Sequence, residues 1–117
     1  MTTETKRPGA RKFVAFELAL EIITQLRAIV VIVRRRDVRL AQQIVAAASS
    51  VAANLAEGSR RRGQDRTHFY RIAAGSAEET RAHLRVALAW GWVAQGDIDH
   101  PLAMIDRELA MLWRITR

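Results

Sequence analysis

Apolar residues recur at steps of three and four along most of the chain, and no segment shows the strict alternation typical of a β-strand. The first stripe comprises Leu18, Ile22, Leu26, Ile29 and Val33. Because such steps place side chains on one face of an α-helix, this periodicity predicts an all-α fold.

The apolar segments are separated by short polar connections, so several helices are expected to follow one another closely. The predicted helices cover about residues 13–33, 37–58, 65–91 and 100–116. Asp37 and Asp65 are predicted to cap the second and third helices, and Pro101 is expected in the first turn of the fourth. Helices joined in this way favour an antiparallel up-down-up-down four-helix bundle.

The length of 117 residues corresponds to one domain. Residues 1–11 are polar, contain Pro8-Gly9 and are expected to form a mobile basic arm, whereas residues 12–117 form the bundle. One bundle of this size leaves little room for a second lobe and a cofactor crevice, so we expect no cofactor. The sequence has no cysteine, which excludes disulfides, thiolate metal sites and thiol nucleophiles.

The charge balance favours a polyanionic partner. Lys and Arg number 19 against 12 Asp and Glu, for a formal net charge of +7. Cationic side chains gain free energy when phosphates release their condensed counterions, so nucleic acid is the expected partner. The longest apolar run, residues 28–33, is too short to cross a bilayer, and we expect a cytoplasmic protein without a membrane partner.

An up-down bundle would bring both chain termini beside the connection between the second and third helices. We call the cations gathered there the basic end, and we expect them to bind phosphates. They are Lys6, Arg7, Arg11, Lys12, Arg60, Arg61, Arg62, Arg66, Arg114 and Arg117. At the opposite end Arg34–Arg36 are offset by acidic residues, so the field there should be weaker.

Polar residues also follow one line on each of the two central helices. The line on the second helix is Gln43, Ser50, Asn54 and Glu57, and the line on the third includes Ser76, Glu79 and His83. We expect the two lines to meet in a hydrogen-bonded seam, with Glu57 pairing to an arginine of the 60–62 run. A carboxylate metal site is the alternative, but the doubled Glu-x-x-His pattern of di-iron bundles is absent and no metal site is predicted.

Glycines and aromatic residues complete the predicted architecture. The second helix is expected to end near Gly58, and Gly75, inside the third, is predicted to allow close approach of another helix. Trp90 and Trp113 are predicted to be buried in the core or in an interface, and Trp92, just beyond the end of the third helix, is the tryptophan most free to stack on a base. Without an exposed aromatic platform, binding should depend on shape and phosphate rather than on base sequence.

Two stretches resemble a known family. Residues 43–58 read Gln-Ile-Val-Ala-Ala-Ala-Ser-Ser-Val-Ala-Ala-Asn-Leu-Ala-Glu-Gly, and residues 69–79 read Phe-Tyr-Arg-Ile-Ala-Ala-Gly-Ser-Ala-Glu-Glu. Together they resemble the two signature blocks of the four-helix-bundle proteins encoded in 23S rRNA intervening sequences. The resemblance implies a non-enzymatic homo-oligomer, typically a pentameric ring, related to nucleic-acid-binding accessory proteins that accompany reverse transcriptases in diversity-generating retroelements.

The leading hypothesis is therefore a basic homo-oligomeric adaptor that binds RNA and assists an enzyme such as a reverse transcriptase. In this hypothesis residues 28–33 and the Ala-rich face of the second helix form subunit contacts. A protein-interaction scaffold that docks an acidic protein is the first alternative. The second is a ribonuclease, because Arg62 and His68 match the Arg-x5-His spacing of HEPN-domain nucleases.

Overall fold

The computed structural model describes residues 13–117, and the predicted basic arm, including Lys6, Arg7, Arg11 and Lys12, lies outside this range. The described chain forms the helices α1 (Val14–Arg34), α2 (Val38–Ser59), α3 (Gly63–Ala89) and α4 (Gln95–Thr116). Residues 13–117 contain no strand, so the predicted all-α fold is confirmed.

The stripe that predicted α1 is buried along its whole length, from Leu18 to Val33. In α2, the predicted cap is also confirmed, because the Asp37 Oδ1 accepts a hydrogen bond of 3.1 Å from the Leu40 N–H. Buried side chains from all four helices form one apolar core. Each helix packs against the next along the chain, and α1 also packs against α4.

The start of α3 differs from the prediction. The helix begins at Gly63, with Arg62 in the capping position, and Asp65 lies inside its first turn. The carboxylate of Asp65 accepts a hydrogen bond from Arg61 instead of capping the backbone. The prediction of Asp65 as the cap is therefore wrong, because a nearby guanidinium competes for its oxygens.

The start of α4 also lies earlier than predicted. The helix begins at Gln95, where the Asp97 Oδ2 accepts a hydrogen bond of 2.9 Å from the Ala94 N–H. Pro101 consequently lies inside the helix and is buried there, rather than in the first turn. Proline has no backbone N–H to donate to the carbonyl one turn earlier, so packing against the core stabilises the helix in place of that hydrogen bond.

Within residues 13–117, no helix is both long enough and apolar enough to cross a membrane.

Candidate nucleic-acid interface

The connection between α2 and α3 is short and cationic. Arg60 follows the last residue of α2, Arg62 precedes the first residue of α3, and all three arginines of the 60–62 run are exposed. Their charges therefore face solvent at one end of both helices.

Glu57 partly neutralises this run. Its carboxylate accepts hydrogen bonds from Arg60 at 3.1 Å and from the Arg61 Nη2 at 2.7 Å. The hydrogen bond from Arg61 holds the pKa of Glu57 below its ordinary value, and the same contact raises the pKa of Arg61. Arg61 also donates to Asp65 at 3.0 Å, so its guanidinium is held by two carboxylates.

Arg66 satisfies the end of α2. It donates hydrogen bonds to the carbonyl oxygens of Gly58 at 3.3 Å and Ser59 at 3.2 Å in the last turn of α2, and the Gly58 carbonyl also accepts one from the Arg61 N–H at 2.9 Å. The guanidinium carbon of Arg61 also lies 5.0 Å from the centre of the Phe69 ring. Arg61 and Arg66 thus stabilise the connection and are less available to a ligand than Arg62.

Other contacts bring the ends of α1 and α4 to the same region. The rings of Phe13 and Tyr70 lie 5.8 Å apart. Arg71 donates a hydrogen bond of 3.0 Å to the carbonyl oxygen of Thr116, so Arg114 and Arg117 lie near the first turns of α3. The described members of the basic end therefore lie in one region of the molecule, with Arg71 beside them.

A groove of about 540 Å³ opens between α3 and the end of α4. We call it the Trp113 groove. Its lining residues are Arg71, Ala110, Trp113, Arg114, Thr116 and Arg117. Trp113 is 48% exposed, so it is not buried in the core of a single copy, and its burial in an interface stays a prediction. It directly follows Leu112 of the α4 seam, and a step of one residue turns a side chain away from the core.

Trp90 is likewise not buried in the core of a single copy, and its burial in an interface stays a prediction. Trp90 is 67% exposed, whereas Trp92 is half-buried against the core. Their rings stack with centroids 5.6 Å apart and an interplanar angle of 12°. Trp90, rather than Trp92, is therefore the exposed member of this pair.

The predicted polar seam forms only in part. The Ser50 and Ser76 hydroxyls are 2.8 Å apart, and the Asn54 Nδ2 donates to the Ser50 hydroxyl at 2.9 Å. Gln43 is exposed, and Glu79 pairs with His83 at 3.2 Å on the surface. Ser50, Asn54 and Ser76 thus link α2 to α3. No three potential metal-ligating side chains cluster within residues 13–117.

The two glycines of the motif have different surroundings. A Cβ atom on Gly58 would lie 2.6 Å from the Tyr70 Cε1, so the backbone of α2 approaches this ring closely. A Cβ atom on Gly75 would meet nothing within 4 Å. The predicted close approach at Gly75 is therefore wrong within the described chain, and Gly58 is the glycine that serves close packing.

Arg62 and His68, the residues of the ribonuclease alternative, are both exposed. The His68 ring lies edge-on to Phe69, with centroids 5.5 Å apart. No hydrogen bond in the described part of the chain joins Arg62 to His68.

Glu108 is a buried acidic residue that the sequence analysis did not identify. Its side chain is fully buried, and neither carboxylate oxygen has a hydrogen-bond partner within residues 13–117. Burial raises the pKa of Glu108 to about 8, against a smaller opposing effect of Arg107. The sequence contains a pattern that predicts this burial. Glu108 comes three residues after Ile105 and four before Leu112, and that spacing places it on the core face of α4.

An apolar groove of about 280 Å³ lies between α1 and α2. Half-exposed Val31 and Val45 contribute to its walls. A second groove of about 210 Å³ shares Val30 and Val45 with the first. We call the two together the α1–α2 groove; it includes part of the segment predicted to form subunit contacts.

Comparison with known proteins identifies a matching family and a solved structure of similar fold. The model of the family described as 23S rRNA-intervening sequence protein matches residues 12–114. A crystal structure of a protein with unknown function from the S23 ribosomal protein family of Bacteroides thetaiotaomicron has a TM-score of 0.81 to this chain. The two are 16% identical, over 88% of this chain and 98% of that chain, and this likeness concerns the fold alone. No curated protein matches the sequence.

Proposed function

This chain belongs to the 23S rRNA-intervening sequence protein family, and on that premise we propose that it is a non-enzymatic homo-oligomeric adaptor that binds RNA. The proposal includes an antiparallel up-down order of helices and a ring of copies, with five as the ring number implied by the family resemblance. The same resemblance supports a role beside a reverse transcriptase.

The basic end is the observation that carries this proposal. Arg62, Arg114 and Arg117 are exposed, and none has an ion-pair partner within residues 13–117. Exposed guanidinium groups bind phosphate through paired N–H donors, and their gathering at one end concentrates the field. A ring with these ends on one side would extend that surface around its rim.

The helix order within each copy is supported by two contacts between α3 and α4. Arg71 bonds to Thr116 and Arg81 bonds to Asp106, so residue numbers rise on one helix as they fall on the other. This is the relation expected of antiparallel neighbours in an up-down bundle.

Removing the three unpaired cations is expected to weaken RNA binding and its dependence on salt. For the triple variant Arg62→Ala, Arg114→Ala, Arg117→Ala, we expect about a tenfold loss of affinity for an RNA hairpin. The slope of log K against log salt should fall by about 2, because each phosphate contact contributes roughly 0.7–0.9. Fluorescence anisotropy between low and moderate salt measures both quantities.

The matched control removes the same charge elsewhere, in the variant Arg35→Ala, Arg36→Ala, Arg39→Ala at and beside the α1–α2 connection, where these exposed arginines lie outside the α1–α2 groove. We expect this control to retain most of the wild-type affinity and slope. A wild-type affinity that is flat with salt, or equal losses in the two variants, would refute the proposed RNA surface. Unchanged RNA affinity in Arg60→Ala, Arg61→Ala, Arg62→Ala would favour the scaffold alternative.

The proposed oligomer is expected to depend on the α1–α2 groove. Val31→Asp places a charge on an apolar wall that a second copy would cover, so self-association should weaken by about tenfold or more. Val38→Asp is the control, because Val38 has the same 52% exposure as Val31 and lies outside the groove. Sedimentation velocity at micromolar protein distinguishes the two; a monomeric wild type would contradict the proposed assembly.

A further inference from the structure

The Trp113 groove combines two features that phosphate binding alone does not require. The indole of Trp113 is half-exposed, and Arg71, Arg114 and Arg117 share the same walls. Its volume of about 540 Å³ lies within the range of roughly 300–1,000 Å³ that is typical of small-ligand sites. The groove is therefore large enough for a flat ring system as well as for an anion.

From this arrangement we propose that the Trp113 groove binds an unpaired nucleotide of single-stranded RNA, with the base stacked on Trp113 and the phosphates held by the arginines. The inference rests on the proposed RNA-binding function and adds to it the form of RNA recognised. It also replaces the expectation that the protein offers no aromatic platform.

Stacking on an indole is available to any base, because every base presents a π face, and it is lost when bases are stacked within a duplex. An exposed Trp face beside cations is thus better suited to a splayed-out base than to a helical stem. A purely apolar partner would leave the surrounding guanidinium groups poorly solvated, at a cost in free energy. Both features together favour a nucleotide.

Arg71 gives the groove a fixed cation. Its Nη2 donates to the carbonyl oxygen of Thr116 at 3.0 Å, which joins α3 to the end of α4 across the groove. A guanidinium has five N–H donors, so this bond leaves others for a phosphate. The side chain is consequently positioned before a ligand arrives, which reduces the entropy lost on binding.

Trp90 provides a natural control. It is more exposed than Trp113, but it lies at the opposite end of α3 from Arg62, and its ring already stacks on Trp92. Trp90 lines neither the Trp113 groove nor the α1–α2 groove. Exposure alone therefore does not mark it as a nucleotide site.

The test compares labelled oligouridylate of twelve nucleotides with an abasic strand of the same length and charge. For Trp113→Ala we expect about a tenfold loss of affinity for oligouridylate and no change for the abasic strand, because stacking contributes roughly 1–3 kcal/mol per base. Trp113→Phe should retain most of the affinity, and Trp90→Ala should match the wild type. Circular dichroism checks that each variant is folded.

Two results would overturn the inference: oligouridylate binding that is unaffected by Trp113→Ala, or equal losses for the two strands. If either occurs while the RNA hairpin still binds with steep salt dependence, only the stacking inference fails. If the wild type binds neither the hairpin nor oligouridylate, the proposed function fails with it.

Discussion

Between pH 5 and pH 8 we expect the free energy of unfolding of the wild type to fall by about 3–5 kcal/mol, and we expect the variant Glu108→Gln to lose this pH dependence. The wild-type carboxyl is fully buried and makes no hydrogen bond within residues 13–117, so the folded protein favours its protonated form. Its pKa is about 8 in the folded state, against an ordinary value of 4.5.

The sign follows from proton binding. Between pH 4.5 and pH 8 the folded state holds a proton on Glu108 that the unfolded state has released, so stability falls as pH rises through this window. The lowered pKa of Glu57 acts in the opposite direction, and its stabilisation is lost only as pH falls below its ordinary value of 4.5. The two effects therefore occupy different pH ranges.

Urea unfolding followed by circular dichroism at pH 5, 6.5 and 8 measures this effect. Glu21→Gln is the matched control, because Glu21 is an exposed carboxylate with no ion pair within residues 13–117, and its variant should keep the wild-type slope. Glu108→Met, which replaces the acid by an apolar side chain of similar length, should be more stable than the wild type at pH 8. A wild-type stability that stays level or rises from pH 5 to pH 8 would show that Glu108 is already ionised or solvated.

Periodicity predicts the helix boundaries correctly where a single sequence feature indicates the start or the course of a helix. In α1 the β-branched residues 28–33 also allow a strand, but the stripe that precedes them continues through them and predicts the helix that forms. Asp37 is the only acidic residue at the start of α2. The start of α4 was ambiguous, because Asp97 and Asp99 both precede apolar residues and Pro101 favours the later start. The hydrogen bond from Ala94 to Asp97 selects the earlier one, and a sequence pattern does not contain that geometry.

The sequence predicts where the positive charges of the candidate site lie, but it does not predict which arginines are free to bind a ligand. The spacing identified the Arg60–Arg62 run, yet it could not show that Arg61 is held by two carboxylates or that Arg66 bonds to the end of α2. Those contacts depend on the direction in which α3 starts after the α2–α3 connection. Arg71 was missed for the same reason, since only the packing of α4 brings Thr116 to it.

Gly58→Ala and Gly75→Ala are expected to change stability in opposite directions, although both replace a glycine within a helix. At Gly58 the new Cβ would lie 2.6 Å from the Tyr70 Cε1 and 3.1 Å from the Phe69 Cβ. Tyr70 is buried and its ring also contacts Phe13, so it has little room to retreat. We expect a loss of about 2 kcal/mol, typical of overpacking in a well-packed core.

At Gly75 the new Cβ would point into open space on an exposed turn of α3, so only the helix preference of alanine remains. We expect a gain of about 1 kcal/mol. Urea unfolding at a single pH compares both variants with the wild type, and Tyr70→Leu should relieve much of the loss caused by Gly58→Ala if the ring is its cause. A destabilising Gly75→Ala would mean that a second copy covers this turn of α3 in the assembled protein, and sedimentation of that variant would then show weakened association.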